Sequence, residues 1–481
     1  MIETKTEGQL LSEKLSFEIK NCWETAKPEE FPKINLFAEQ YKAFLNKGKT
    51  ERECVRQCVE QLECAGFISL DKALAQGGQL APGARIYQNV REKSLLCAVL
   101  GEKSLREGVN IVGAHVDAPR MDLKTNPLYE DSGFALFDTH YYGGIKYYQW
   151  TTIPLALHGV VFTRNGERRD ICIGEHENDP VFTITDLLPH LAREQLKKEA
   201  SHFIDGEDLD VLAGSKPYQD NKVENKVKLE VLRLLYEKYG MVEEDFAGAE
   251  LELVPAGKVR DVGLDRSMIG GYGHDDRCCA YTAFSALLEL ATADARPAKT
   301  ILCFLSDKEE IGSRGNTSAD ARFFENFIAC LCAKTIDSYT EMDLRLALST
   351  SSMLSADVNA AFDPNYADVY DKKTTSWCGK GIGLSKYTGS GGKYGGSEAN
   401  AEFCQKVQAL FNQNKIRWQY GDLGKVNKGG GGTIALYAAR LGIDVLDCGL
   451  AVLSMHSPFE VISKIDLYTA YQAYIAFLRD M

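Results

Sequence analysis

The sequence predicts an α/β protein, a helix-covered sheet interrupted midway by an inserted β-rich segment. Three observations lead there. Amphipathic helical stretches alternate with short apolar runs toward both ends of the chain. From about residue 124 to 265 that alternation gives way to turns and β-prone runs. At 481 residues the chain is also long for a single domain. The expected division is residues 1–123 joined with 266–481, and an insertion at 124–265.

Each element follows from its pattern. Glu51 to Ala65 (ERECVRQCVEQLECA) carries apolar residues at helical spacing, and Gly66 is placed to end that helix. LLCAVLG and NIVGAHVDAPR read as strands. Inside the insertion, TIPLALHGVVFT and DICIGEH are β-prone, PHLAREQLKK reads as a helix, and QDNKVENKVKLEVLRLLYEKYG is a charged stretch. Beyond it, CCAYTAFSALLELATA reads as helix, KTILCFLS as strand, ARFFENFIACLCA as helix and LALSTSSMLSADV as a strand region. Residues 379–396 and 429–432 are glycine-rich loops.

Composition narrows the function. The apolar fraction of 44% and charged fraction of 26% are those of an ordinary globular protein. A net charge of −13 argues against nucleic acid or an anionic membrane as partner. MIETKTEGQLLSEKLSFEIK has charges scattered throughout and reads as neither signal peptide nor anchor, and no later run is long enough to span a bilayer. Fourteen cysteines without a CxxC read as reduced thiols, so a cytoplasmic protein is expected.

The chemistry starts at ILCFLSDKEEIGSRG, residues 301–315. An apolar strand empties into Glu309 and Glu310, where desolvation and mutual repulsion oppose two adjacent carboxylates unless positive charge waits for them. In α/β folds the carboxyl ends of strands line the ligand crevice, and four other segments bring metal-binding side chains to such ends. NIVGAHVD finishes with His115 and Asp117. GGYGHDDRCCAYTAF sets Asp275 and Asp276 at a helix start. LSADVNAAFDPNY offers Asp357, and VLSMHSPFE offers His456.

Imidazole and carboxylate donors suit zinc, cobalt or manganese. With one carboxylate shared, five residues make two three-ligand sites, the arrangement for two-metal hydrolysis. Glu310 would bind metal while Glu309 faces the water between the ions and removes its proton. Asp117 would hold the other nitrogen of His115. Singly, H-x-D, D-D and E-E are common; in this order at apolar run ends they are specific.

The ordered set (His-x-Asp, Asp-Asp-Arg, Glu-Glu-x-Gly-Ser, Ser-Ala-Asp with Pro-Asn-Tyr, Met-His-Ser) resembles the aspartyl aminopeptidase family of dinuclear metallopeptidases, over nearly the whole chain. The resemblance implies a zinc-peptidase-like α/β/α sandwich catalytic domain with an inserted β-rich dimerisation domain, assembling as dimers and dodecamers. It implies that His115, Asp275 and Asp357 hold one ion and Asp275, Glu310 and His456 the other, with Glu309 as base and Asp117 as orienting aspartate. His190, in LLPHLA, matches a histidine that the family supplies from a neighbouring subunit.

Other residues compete for these roles. Asp337, in AKTIDSYT, competes with Asp357 but matches the motif less well. His274 reads as a neighbour of the site or a solvent-facing residue, and His140, His158, His176 and His202 as packing or surface residues. GKT at 48–50 lacks the first glycine of a phosphate loop, Ala43 standing there. Acidic-selective members place a lysine where Ser385 aligns, with Lys386 one residue later. A one-residue slip faces the other way on a strand, so selectivity for N-terminal Asp or Glu stays open. The function expected is a metal-dependent aminopeptidase acting on peptides. The rivals are a related dipeptidase, carboxypeptidase or deacylase, and a non-catalytic metal-stabilised assembly protein.

Overall fold

The computed structural model describes residues 5–293 and 296–481, so the first four residues of the N-terminal stretch lie outside the described part. Among the described residues, no helix is long and apolar enough to cross a membrane. All fourteen cysteines are free.

The principal sheet has nine strands, in the spatial order Ile68–Ser69, Arg85–Val90, Ser94–Val99, Thr300–Ser306, Val109–His115, Ser352–Ser355, Asp444–Gly449, Ile382–Ser385 and Trp418–Tyr420. Four central strands, from Thr300–Ser306 to Asp444–Gly449, run parallel. A parallel centre must be buried on both faces, and side-chain alternation divides it cleanly. Ile301, Cys303 and Leu305 pack with helices Phe31–Lys47, His274–Thr292 and Lys464–Asp480. Leu302 and Phe304 pack on the other side with helices Phe323–Thr335 and Glu341–Ser349. The result is the expected three-layer α/β/α arrangement.

A second sheet of seven strands is built from the chain between Arg120 and Pro255. It has its own apolar core, with Trp150, Phe137 and Leu157 buried, and helix Lys226–Tyr239 packs against it. A third, five-stranded sheet joins Met268–Gly271, Glu460–Ser463 and Asn359–Ala360. These strands adjoin the segments that carry Asp275, His456 and Asp357.

Two sequence expectations need correction. PHLAREQLKK forms turns and a single 3-10 turn at Gln195–Lys197 rather than an α-helix. Leu191 and Leu196 are exposed and only Ala192 is buried, so there is no packed face to offset the cost of helix nucleation. In LALSTSSMLSADV the first four residues end the helix Glu341–Ser349, and the strand begins at Ser352. Leu344, Ala347 and Leu348 are the buried helical face, which in a short window looks like an apolar strand.

Buried charge ties the second sheet to helix Glu51–Cys64. His158, 2% exposed on strand Leu155–Phe162, lies 2.8 Å from Glu53 on helix Glu51–Cys64 and 3.1 Å from Glu175. Burial works against the imidazolium, but the two carboxylates overcome it and push His158 from 6.5 up to about 9. A proton held more tightly in the folded chain stabilises it fully below pH 6.5, and that contribution is lost as pH rises through about 9. Unfolding free energies from denaturant titration at pH 6.5 and 9.5 should therefore differ more in the wild type than in His158→Gln. The excess should be on the order of 3 kcal/mol; equal pH dependence in the two proteins would refute the linkage.

Candidate metal centre

Strand register brings the parts together. His115 ends strand Val109–His115, and its register partner on the adjacent parallel strand is Ser306. The chain leaving Ser306 therefore delivers Glu309 and Glu310 beside His115. Asp357 follows strand Ser352–Ser355 on the other side of Val109–His115. Gly449 permits this: a Cβ there would lie 1.7 Å from the Asp357 carbonyl oxygen. Asp275 stands in the first turn of helix His274–Thr292, and the peptide joining it to Asp276 is cis.

Asp275 faces both histidines. Its Oδ1 lies 3.2 Å from His115 Nε2 and its Oδ2 lies 3.2 Å from His456 Nε2. Glu310 Oε2 is 3.4 Å from His456 Nε2, and Asp357 Oδ1 is 3.9 Å from His115 Nε2. Glu309 Oε2 comes within 3.9 Å of His115 Nε2. Donor atoms of His115, Asp275 and Glu310 lie within 4.8 Å of one another, as do those of His115, Asp276 and Asp357. Asp275 Oδ1 and Glu310 Oε1 are buried without a hydrogen-bond partner among the described residues. Orphaned carboxylate oxygens converging with two imidazoles fit a divalent cation.

The surroundings orient these groups. Asp117, fully buried, lies 3.2 Å from His115 Nδ1 and accepts the backbone N–H groups of Glu309 and Glu310, at 3.1 and 3.2 Å. It also accepts the Tyr142 hydroxyl at 2.8 Å. His456 Nδ1 donates to the Gly144 carbonyl at 2.7 Å, which turns Nε2 toward Asp275 and Glu310. The sequence named Asp117. It missed Tyr142 and the Gly144 carbonyl, which stand in no motif, and Glu460, which ends the VLSMHSPFE stretch but bonds only backbone amides.

Electrostatics follow from burial. Burial pushes Glu309 up to about 7, with the Asp117 and Asp275 charges adding to it and the histidines opposing it. Burial, with Asp275 nearby, also raises Glu310 well above the usual carboxylate range, and burial raises Asp357 likewise. At Asp275 burial is overcome by the two histidines, which hold it low. The same carboxylates push His456 up to about 11 against burial.

The cluster opens into a cavity of about 410 Å³ lined by Asp275, Glu309, Glu310, Asp357 and His456 and by glycine-rich loop residues such as Gly391 and Gly430. Other candidates fall elsewhere. Asp337 is exposed and accepts a hydrogen bond from Gln79. His274 is fully buried, its Nδ1 2.7 Å from the Tyr41 hydroxyl, and so is not solvent-facing. Ser385 lines the cavity, whereas Lys386 turns outward to Glu398 at 3.0 Å. His190 is exposed and is not among the cavity-lining residues.

Residues 44–478 match the family profile described as "Aminopeptidase I zinc metalloprotease (M18)". The chain belongs to the M18 aminopeptidases. It is 48% identical over 463 residues to a Clostridium acetobutylicum protein named "Probable M18 family aminopeptidase 1", covering 96% of this chain and 98% of that one. The crystal structure of an M18 aminopeptidase from Thermotoga maritima superposes with a TM-score of 0.91 at 44% identity, covering 97% of this chain and all of that one. The S. cerevisiae mApe1 dodecamer shares the fold at 22% identity, with a TM-score of 0.73 over 92% of this chain and 96% of that one. As an M18 aminopeptidase the chain is a metal-dependent hydrolase, and zinc is the metal its family names.

Proposed function

We propose that the chain removes the N-terminal residue of peptides at a centre of two divalent ions, zinc by preference, with cobalt and manganese compatible with the same donors. His115, Asp275 and Asp357 would hold one ion; Asp275, Glu310 and His456 the other. The observation that carries this reading is Asp275, with one oxygen toward each histidine at 3.2 Å. Bound there, the ions would polarise the scissile carbonyl and acidify a water between them. Glu309, which is no ligand in this scheme, takes the water's proton and gives one to the departing amine. Asp117 keeps the backbone of both glutamates and the imidazole of His115 in place.

The chain is also proposed to self-associate as dimers, and these as a dodecamer, through the inserted segment at 124–265. Exposed Leu187, Leu188, Leu191 and Leu196 flank His190, and an apolar face of this kind suits burial against a second copy. His190 would then reach a neighbouring subunit's cavity.

The first residue of the substrate is read as neutral or basic rather than acidic. Asp371, Asp422 and Asp447 line the cavity, and none has an ion-pair partner among the described residues. Two lysines also line it: Lys393 is paired with Glu398 at 3.0 Å, and Lys425, which donates to the Asp368 carbonyl at 2.7 Å, offsets only one of the three carboxylates. Like-charge contact is costly in such a site. A panel of peptides differing in the first residue, each free or N-acetylated, tests both points. Release of that residue is expected only from free-amine peptides, with Asp and Glu about tenfold slower than Leu or Lys. Cleavage of acetylated peptides would overturn the aminopeptidase reading, and fastest release of Asp or Glu would overturn the selectivity alone.

A further inference from the structure

Glu460 opens strand Glu460–Ser463, 1% exposed, four residues beyond His456. Among the described residues it forms no ion pair. Its Oε1 accepts the backbone N–H of His456 at 2.7 Å, and its Oε2 accepts the backbone N–H of Asp275 at 3.0 Å. One carboxylate thus ties together two loops that are 181 positions apart in the numbering, His456 and Asp275. They are the two residues whose side chains face each other at 3.2 Å. His456 sits at φ +65°, a backbone conformation that needs support from outside the loop.

We propose that Glu460 is a positioning residue for one of the two ions, the one assigned to Asp275, Glu310 and His456, and that it acts by clamping the backbones of two of that ion's ligands. This rests on the ligand assignment above. Two acceptor oxygens are required. Glutamine offers one, and its amide nitrogen would face an N–H donor. Aspartate keeps both oxygens but is one methylene too short to span both loops. Asp275 is shared with the other ion, but the remaining ligands of that ion, His115 and Asp357, touch neither of these hydrogen bonds, so the effect should be larger at the ion that loses support at two ligands than at the ion that loses it at one.

The test is titration of zinc alone into the metal-stripped full-length protein, followed calorimetrically. Glu460→Gln and Glu460→Asp should bind the ion of Asp275, Glu310 and His456 about 10- to 100-fold more weakly, the usual effect of losing a ligand's supporting group, and the ion of His115, Asp275 and Asp357 more weakly by a clearly smaller factor. Excess zinc should restore turnover. Wild-type affinity at both sites, or equal weakening of both, overturns the proposal. If the Gln variant does not fold, the Asp variant and amide exchange in stripped wild type decide it. The Asp275 and His456 amides should exchange slowly, and exchange at exposed-loop rates overturns the clamp. His456→Ala should lose one ion; if it retains both, the ligand assignment itself fails.

Discussion

Glu309→Gln should retain fold and metal and lose about 10²–10⁴-fold in turnover, the range for removing a positioned general base. Glutamine is isosteric and keeps the backbone N–H that Asp117 accepts at 3.1 Å, so the loop need not move. Ligation should survive because both proposed three-ligand sets are complete without Glu309: His115, Asp275 and Asp357 in one, and Asp275, Glu310 and His456 in the other. What disappears is a carboxylate that burial pushes up to about 7, the range in which a group both takes and returns a proton near neutral pH. Metal content and turnover at saturating peptide are the two readings. Full metal with turnover within tenfold of the wild type would remove Glu309 from the mechanism. Loss of metal would make it a ligand instead.

The same residues explain how much of the centre could be read from sequence. His115, Glu309, Glu310, Asp357 and His456 all stand just past an apolar run, and a switch from apolar to ionisable at a strand end is visible without coordinates. Strand register then does the assembling: Ser306 beside His115 is a pairing the sequence does not state. Glu460 was invisible for the opposite reason. It starts a strand, and its partners are backbone amides, which leave no side-chain signature at Asp275 or His456. Lys386 shows the limit of alignment. It lies one residue past the end of strand Ile382–Ser385 and pairs with Glu398, away from the cavity that Ser385 lines. The helix expected over PHLAREQLKK failed because periodicity reports an amphipathic face and not whether this chain buries it.

Replacing Arg120 with Met should cost about 3–5 kcal/mol of stability, the usual consequence of breaking a buried charge network from one side. Arg120 is 5% exposed, and its Nε lies 2.8 Å from Asp122 and 3.2 Å from Glu252. Its Nη1 lies 3.5 Å from Glu51, which Lys93 also approaches at 3.5 Å. Burial raises both glutamates. Arg120 and Lys93 overcome it at Glu51, holding that carboxyl at about 2, whereas at Glu252 burial and the Glu51 charge keep it well above its usual range. Met fills similar volume but leaves the Glu51 charge to Lys93 alone. A second substitution, Glu252→Gln, removes one of the stranded carboxyls and should recover part of the loss, a coupling that independent sites would lack. The loss should also reach the metal centre. The guanidinium lies 3.9 Å from the Tyr142 ring centroid, and Tyr142 donates to Asp117, which holds both glutamate amides. Urea denaturation of the metal-free protein reads the stability term, and turnover of the folded variant reads the second. A loss below about 1 kcal/mol would mean that Arg120 contributes no more than an exposed ion pair, and the network would then not be what joins the inserted sheet to helix Glu51–Cys64.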